Sequence, residues 1–348
     1  MREVRKRKVV GRMNEGQSRQ DVYVGKRLNK NIYNETGTLV IPAWRVLTKK
    51  NIVMLASQRI ILSEDDVEPV TILHLVDSAI KEVRDLFDHA RNLDQIPFTV
   101  IRDRIVPMIM QMSNHPNLNQ ILSHLELYDE YVYRHSIGVA LLSKLIGKAR
   151  GFDEVQLLEL TTAGFLHDIG KAKIPSAILN KPGKLTDEEY ELVKDHTVYG
   201  YEIIKQSAGI PERHAYVALQ HHEREDGSGY PFGLKGSEID VYSKIVAVAD
   251  VFHAMVSKRV YKNPVPFYKV LKEMSDNAYG TLDPAITLSF LKRIMDLLIG
   301  NKVVLSDGRE GKIVMVSEQD PAHPFVEING CYVDLSKEQD IHVESIVG

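Results

Sequence analysis

Histidine and aspartate residues recur on the apolar faces of helical segments in this chain, and this pattern restricts its fold more than any other. His196 lies three residues after Val193, on the apolar stripe of an amphipathic helix. Asp250 lies four residues after Val246, within a mostly apolar helix. A lone buried histidine is usually a packing residue, but a buried aspartate is costly unless it is paired or bound to a metal. The pattern therefore predicts a helical domain that closes around a metal-binding centre.

The predicted ligand set combines imidazoles with carboxylates and contains no thiolate. This composition favours iron, manganese or zinc over copper(I) or an iron–sulfur cluster. The single cysteine, Cys331, excludes a disulfide framework and a cysteine-based metal site, and it fits a reducing cytoplasm. The predicted ligands are His135, His167, Asp168, His196, His221, His222 and Asp250.

The segment that follows the paired histidines predicts a loop that closely approaches a phosphate. Gly227 and Gly229 permit backbone angles that other residues do not reach, and Pro231 fixes the exit of the loop. Tyr230 can stack on a base or donate its hydroxyl to a phosphate. In isolation, Gly-Tyr-Pro is more typical of a turn with an anchoring tyrosine. Its position directly after His-His indicates a substrate site formed by Gly229, Tyr230 and Pro231.

Three cations are candidates for contact with an anionic substrate. Lys171 follows Asp168 by three residues, just beyond Gly170, which suits the position that stops a helix; Lys171 can stabilise charge on a leaving phosphate. Arg259 can bind a phosphate through two hydrogen bonds, and Lys262 lies close to it in sequence. Taken alone, Arg259 and Lys262 are more often ordinary surface charges, and the alternative for Lys171 is a solvated lysine at a helix end. The basic residues within 2–12 are interpreted as a solvated terminus.

Composition sets limits on the class of protein. The chain has 348 residues, 44% hydrophobic and 26% charged, as in soluble globular proteins of two or three domains. Its formal net charge of -3 provides no overall field that would gather nucleic acid, so no stable nucleic-acid partner is expected. No run approaches the ~18 apolar residues of a membrane span. The basic N-terminal stretch lacks a following apolar region, so it is not a signal peptide.

Periodicity divides the chain into four predicted parts and makes the fold mainly α. Alternating residues in 1–68 predict a small β-rich module, with Thr48 as the cap of a short helix. Residues 69–128 predict a helical connector, and 129–299 a dense helical domain. Within that domain, a capping box at Thr186 begins a helix that is predicted to run to about Gln206. Residues 300–348 predict a small β module of about five strands.

The order His, His-Asp, His, His-His, Asp, with Gly-Tyr-Pro after the paired histidines, resembles the HD-GYP family of metal-dependent phosphohydrolases. The resemblance covers about residues 125–298. It implies an HD-type all-helical domain, two divalent ions, most often iron or manganese, and Asp168 as the ligand that bridges them. It also implies hydrolysis of cyclic di-GMP to the linear pGpG, with GMP left open as a further product, in cytoplasmic bacterial signalling.

The chain departs from the family pattern at three positions. Tyr131 stands where some members carry a glutamate that helps to hold a third metal, so two metals are expected. His253 replaces an acidic residue three positions after Asp250, and it either hydrogen-bonds to a ligand or has no role. Glu225 stands where an aromatic residue is common. The departures at His253 and Glu225 bear on substrate affinity more than on metal binding.

Two other functions stay open at this point. A non-catalytic receptor would bind the dinucleotide and signal through the terminal modules, which the altered stretch around His253 weakly favours. Another phosphohydrolase activity would act on a different cyclic dinucleotide or nucleotide. The partner expected in every case is a cyclic dinucleotide or a related nucleotide, and a homodimer is left open.

Overall fold

The structure, a computed structural model, describes most of the chain. The described residues are 20–43, 45–68, 72–115, 121, 124–125, 130–257, 267–278, 280–317, 320–338 and 340–347. Two predicted substrate contacts, Arg259 and Lys262, lie outside them, as does the basic segment 2–12. The chain divides into two compact units, Met1–Leu75 and Val76–Gly348. The finer division at 68, 128 and 299 stays a prediction.

The first unit carries short antiparallel strands, as the alternation predicts. Thr48 caps its helix α1, Lys49–Ser57, because Thr48 Oγ1 accepts from the amide of Asn51 at 3.1 Å and Asn51 Oδ1 accepts from the amide of Thr48 at 2.9 Å. A small apolar core beneath the strands includes Leu28, Leu47, Ile52 and Leu55. The strands are β1 Arg27–Leu28, β2 Ile32–Tyr33, β3 Leu39–Ile41 and β4 Val67–Glu68, paired β1–β4 and β2–β3.

The remaining helices make the fold mainly α, in agreement with the predicted class. They are α2 Ile72–Leu93, α3 Phe98–Val100, α4 Val106–Ser113, α5 Tyr131–Ala149, α6 Glu154–Leu166, α7 Ser176–Leu179, α8 Asp187–Lys194, α9 His196–Gln206, α10 Glu212–Gln220, α11 Val241–Val256, α12 Phe267–Asn277 and α13 Pro284–Asp296. A π-helical stretch, Ile101–Ile105, joins α3 to α4. A 3₁₀ turn, Ile169–Lys173, follows α6.

Helix α5 is the centre of the helical packing. It contacts α6, α11 and α13, and α6 in turn contacts α10. Its buried residues are mostly apolar or small, so neighbouring helices close over it on several sides. Val139, Leu142 and Ile146 of this helix join a continuous apolar cluster with Val246 and Phe290. The centre of the unit is therefore dry, and any polar side chain pointing inward must find a partner there.

The helix predicted from Thr186 to Gln206 is in fact two helices. The predicted capping box is present, since Thr186 Oγ1 accepts from the amide of Glu189 at 3.2 Å and Glu189 Oε2 accepts from the amide of Thr186 at 2.8 Å. The first helix, α8, stops at Lys194, and α9 begins at His196. The chain turns at Asp195, so His196 stands at the start of a new helix instead of within a long one.

The C-terminal residues form the predicted five-stranded sheet. Its strands are β5 Lys302–Leu305, β6 Glu310–Met315, β7 Phe325–Ile328, β8 Cys331–Asp334 and β9 Val343–Val347, all antiparallel in the order β8-β7-β6-β5-β9. Val303, Ile313 and Val326 belong to the same apolar cluster as the helices. Strand β9 also contacts α12. No helix in the described part of the chain is long and apolar enough to cross a membrane.

Candidate metal centre

The seven predicted ligands come together at one place, although they are spread over more than a hundred residues of sequence. His135 lies in α5, and Asp250 lies in α11. His167 and Asp168 follow the last residue of α6, while His196 is the first residue of α9. The paired histidines follow directly after α10. The ligand atoms form two groups, each within 4.8 Å: Asp168, His196, His221 and His222 in one, and His135, His167 and Asp250 in the other.

Three of the imidazoles are oriented by the same kind of hydrogen bond to the backbone. Nδ1 of His167, His196 and His221 donates to the carbonyl oxygen three residues earlier, at 2.7, 2.6 and 2.9 Å. This fixes the proton on Nδ1 and leaves the lone pair of Nε2 facing the centre. The Nε2 atoms of His196 and His221 approach to 3.3 Å. Two facing lone pairs at this distance repel, and a cation between them turns that repulsion into attraction.

Asp168 faces both groups, one oxygen to each. Its Oδ1 lies 3.3 Å from Nε2 of His196 and 3.8 Å from Nε2 of His221. Its Oδ2 lies 3.3 Å from Nε2 of His167 and 3.7 Å from Nε2 of His135. The carboxylate is completely buried, so it stays ionised only because positive charge or metal is close. A carboxylate placed in this way can bridge two cations.

The electrostatics of Asp168 and of the paired histidines match what ligation requires. Burial raises the pKa of Asp168, but the charges of His167 and Lys171 outweigh burial and hold that pKa well below the usual range of aspartate. Burial, together with the neighbouring imidazoles, holds the pKa of His221 and of His222 well below that of a free histidine. The carboxylate is thus ionised and the paired imidazoles are neutral, which are the forms that bind metal. His167 differs, because burial lowers its pKa but the charge of Asp168 outweighs burial and raises the pKa of His167, so this imidazole must lose a proton when a cation binds.

Buried atoms at the centre also fit a divalent cation. Among the described residues, Oδ1 of Asp168 and Nε2 of His167 have no hydrogen-bond partner. Polar atoms left in this state in an apolar interior cost free energy. Five imidazoles and two carboxylates, with no thiolate, form a donor set for a borderline divalent metal. The centre is therefore a divalent metal site.

Lys171 lies against the centre, as its spacing from Asp168 predicts. Its Nζ donates to Oδ2 of Asp168 at 2.5 Å from the 3₁₀ turn after α6. Gly170 plays a different part from the predicted helix stop, since its φ is not positive. A Cβ on Gly170 would lie 1.9 Å from the carbonyl oxygen of His196. Position 170 has no room for a side chain, because α9 passes directly over this turn.

The Gly-Tyr-Pro segment closes one side of the centre. The ring of Tyr230 stacks on the ring of His222, with centroids 4.6 Å apart and an interplanar angle of 21°. Gly229 allows this approach, since a Cβ there would lie 2.4 Å from the carbonyl oxygen of His222. The Tyr230–Pro231 peptide is cis. Burial raises the pKa of Tyr230, so its hydroxyl keeps its proton and remains a donor.

With this geometry established, sequence comparison identifies the family. Residues 116–286 match the family described as HD domain, and within that span the paired histidines lead into Gly229, Tyr230 and Pro231. Residues 116–286 are an HD domain of the HD-GYP type.

Curated relatives match about half of this chain or somewhat more. A Thermotoga maritima protein named cyclic di-GMP phosphodiesterase is 45% identical over 180 residues, covering 50% of this chain and 49% of that protein. A Pseudomonas aeruginosa protein of the same name is 34% identical over 229 residues, covering 66% of this chain and 55% of that protein. A 3'3'-cGAMP-specific phosphodiesterase of Vibrio cholerae is 36% identical over 168 residues, covering 48% and 36%. The chain thus spans about half the length of the first two relatives.

One solved structure supports the HD-GYP fold over most of the chain. An HD-GYP-type protein from Bdellovibrio bacteriovorus aligns with a TM-score of 0.50 and covers 77% of this chain and 95% of its own. The sequences are only 15% identical, so this likeness concerns the fold alone.

Two departures from the HD-GYP pattern lie beside His135. Tyr131 stacks on its ring, with centroids 5.2 Å apart, and its hydroxyl lies 3.4 Å from Nδ1. The neighbouring Glu130 forms an ion pair with Arg84. His253 is buried, and its Nδ1 lies 3.0 Å from Nδ1 of His135. The third departure, Glu225, forms an ion pair with Lys244 at 2.8 Å.

Two residues of this HD-GYP site are not identified by the sequence pattern. Glu223 is buried, and its carboxylate accepts from the amides of Phe232 and Leu234 at 2.8 and 2.9 Å, which closes the loop around Tyr230. Lys194, at the end of α8, places Nζ 5.6 Å from the centroid of the Tyr230 ring. Sequence spacing does not reveal either residue. Glu223 contacts backbone amides, which leave no residue-type signal, and Lys194 contacts a residue far along the chain.

Proposed function

We propose that this protein is a phosphodiesterase that hydrolyses cyclic di-GMP to pGpG in cytoplasmic second-messenger signalling. The observation that carries the proposal is the position of Asp168, whose two oxygens face separate groups of ligands. The names of the Thermotoga and Pseudomonas relatives support cyclic di-GMP as substrate. The Vibrio relative supports 3'3'-cGAMP as the alternative substrate of the same reaction.

The two ligand groups support two divalent ions. Imidazole and carboxylate donors suit iron, manganese or zinc, and the family resemblance favours iron or manganese among them. Asp168 would hold both ions, with His196, His221 and His222 on one side and His135, His167 and Asp250 on the other. Divalent ions bound there supply Lewis-acid stabilisation of phosphoryl oxygens and make water a stronger nucleophile at neutral pH. The protein contributes a buried environment and imidazoles that are already oriented.

Lys171 and the loop residues have separate proposed roles. Lys171 places a cation beside Asp168, where charge develops as the phosphodiester is cleaved. Tyr230 offers a ring face and a protonated hydroxyl to a base or a phosphate, and Gly229 and Pro231 set its position. Lys194 adds a positive charge over the same ring. Arg259 and Lys262 remain proposed substrate contacts.

Product analysis on a metal-loaded protein tests the proposal. Protein purified without oxygen is stripped, loaded with Mn²⁺ or Fe²⁺, and incubated with cyclic di-GMP, 3'3'-cGAMP and pGpG, with products identified by mass spectrometry. The expected result is conversion of cyclic di-GMP to pGpG by the wild type and none by Asp168→Asn.

The same experiment separates the rival functions. Binding of cyclic di-GMP without turnover, in protein shown to contain metal, would replace the phosphodiesterase with a receptor. Faster turnover of 3'3'-cGAMP would keep the reaction and change the substrate.

A further inference from the structure

His253 and His135 face each other through the same ring nitrogen, Nδ1. Their Nδ1 atoms are 3.0 Å apart, and both side chains are buried in the described structure. A hydrogen bond at this distance needs one donor and one acceptor, so one Nδ1 carries a proton and the other does not. The positions of the protons on the two rings are therefore linked.

Two arrangements of this pair are possible, and they differ in whether Nε2 or Nδ1 of His135 carries the proton. In the first, Nε2 of His135 donates to Oδ1 of Asp250 at 2.9 Å, and Nδ1 accepts from His253. In the second, Nδ1 of His135 donates to His253, and Nε2 presents its lone pair to the centre. Only the second arrangement leaves Nε2 able to bind a cation.

The two arrangements contain the same number of protons, so no proton is gained or lost between them. His135 moves its proton from Nε2 to Nδ1 while His253 moves its proton from Nδ1 to Nε2, and both rings stay neutral. Ser257 Oγ lies 3.0 Å from Nδ1 of His253, and a hydroxyl can donate or accept, so it accommodates both arrangements. His253 fits tightly here because Gly138 lies beneath it, where a Cβ would be 2.0 Å from Nε2.

We propose that His253 is a positioning residue that lets the His135 group of ligands alternate between a closed arrangement, with His135 hydrogen-bonded to Asp250, and a metal-binding arrangement. This inference rests on the proposed metal centre and is independent of the substrate. A carboxylate in place of His253 accepts only, so it would hold the proton of His135 on Nδ1 permanently. The imidazole instead allows both tautomers, and metal binding must select one of them. The His135 group is thereby less preorganised than the Asp168 group, whose His196 and His221 are fixed by backbone carbonyls.

A matched set of variants at position 253 tests the inference. The first oxygen of an aspartate or asparagine lies the same number of bonds from Cβ as Nδ1 of histidine. His253→Asp supplies an acceptor only, His253→Asn can donate or accept without charge, and His253→Leu can do neither. Each is prepared without metal, checked by thermal melting, and titrated with Mn²⁺ against a chelating indicator.

The tautomer of His135 is read directly by long-range ¹⁵N–¹H correlation spectra of the metal-free protein, with His135→Gln for assignment. The expected wild-type spectrum shows the His135 proton on Nε2, and His253→Asp moves it to Nδ1. The weaker of two Mn²⁺ affinities should rise about 10-fold or more in His253→Asp, stay within about 3-fold in His253→Asn, and fall about 10- to 100-fold in His253→Leu.

Several results would overturn the proposal. One is a wild-type His135 that already carries its proton on Nδ1 without metal, and another is an unchanged tautomer in His253→Asp. Equal Mn²⁺ affinities across folded variants would also exclude it. Because the tautomer and the affinity are measured without substrate, a failure of the proposed hydrolysis leaves these readouts interpretable.

Discussion

The ring of Tyr230 lies flat against the ring of His222, 4.6 Å between centroids. The Gly-Tyr-Pro loop is thereby built directly on a side chain that faces the metal centre. Replacing Tyr230 should consequently affect substrate use more than metal content. Tyr230→Phe keeps the stacked ring and loses one hydroxyl, so kcat/KM should fall about 2- to 13-fold, as for one neutral hydrogen bond. Tyr230→Ala removes the ring as well and should cost about 1–3 kcal/mol more if a base stacks there. Steady-state kinetics with metal analysis measure both, and equal effects of the two variants would exclude a stacking role.

Asp168→Ala should abolish hydrolysis and lower the metal content from two ions per chain to one or none. The variant removes the side chain that faces both groups of histidines, so two cations would be left without a shared anion. Elemental analysis beside turnover measurements tests this. The matched control is Asp195→Ala at the turn before His196, which should keep two ions, whereas retention of a tenth of wild-type turnover in Asp168→Ala would contradict a bridging role.

Lys171→Ala should mainly lower kcat, because the contact of Lys171 strengthens as charge develops on the phosphate. Arg259→Ala should instead raise KM by roughly 10- to 150-fold, as for a charge-assisted phosphate contact that is equal in ground and transition states. Kinetics on both variants, with metal content verified, distinguish the two roles. If Arg259→Ala leaves both constants unchanged, then Arg259 is an ordinary surface charge.

Tyr131→Glu should create a third metal site. The tyrosine ring now lies beside His135, and a carboxylate at that point on α5 would add an anionic ligand near the group that includes His135 and Asp250. The metal content measured by elemental analysis should rise from two ions per chain toward three. Tyr131→Gln, which adds no charge, serves as the control. A reproducible three ions in the wild type would show that the tyrosine does not limit the count.

Glu223→Ala should destabilise the protein and loosen the Tyr230 loop. The buried carboxylate accepts from the amides of Phe232 and Leu234, and each hydrogen bond to a charged group contributes about 1.5–3 kcal/mol. Glu223→Gln keeps one acceptor oxygen and should lose less. Thermal denaturation measures the difference, and a melting temperature equal to wild type in Glu223→Ala would show that water replaces the carboxylate at no cost.

Local signals in the sequence predict those parts of the fold that depend on neighbours along the chain. The caps at Thr48 and Thr186 are confirmed because a capping box involves residues only three apart. The break at Asp195 is missed because the apolar stripe continues across it, and the backbone of Asp195 itself keeps dihedral angles in the right-handed helical region. The role of Gly170 is also missed, since its close neighbour is the backbone of α9 and not its own helix.

The candidate site is predictable as a set of residues but not as an arrangement. The histidines stand out because several fall on apolar faces, and their order adds a family resemblance. The division of the ligands around the two oxygens of Asp168 depends on distances that no spacing gives. The same is true of His135 and His253, which are 118 residues apart in sequence yet 3.0 Å apart at Nδ1. Tertiary packing decides such pairs.

The apolar cluster shared by α13 and the C-terminal sheet has a consequence for cooperativity. Phe290 and Ile294 of α13 belong to the same buried cluster as Val303 and Val326 of the strands. Strands and helices joined through one continuous interior melt together, so the sheet and the helices should unfold in a single transition. A molecule that pulled on this sheet would also strain α5, the helix that carries His135, through side chains already in contact. The described strands of the C-terminal sheet therefore share an apolar interior with the helix that carries His135, and a binding event on the sheet has a physical route to that helix.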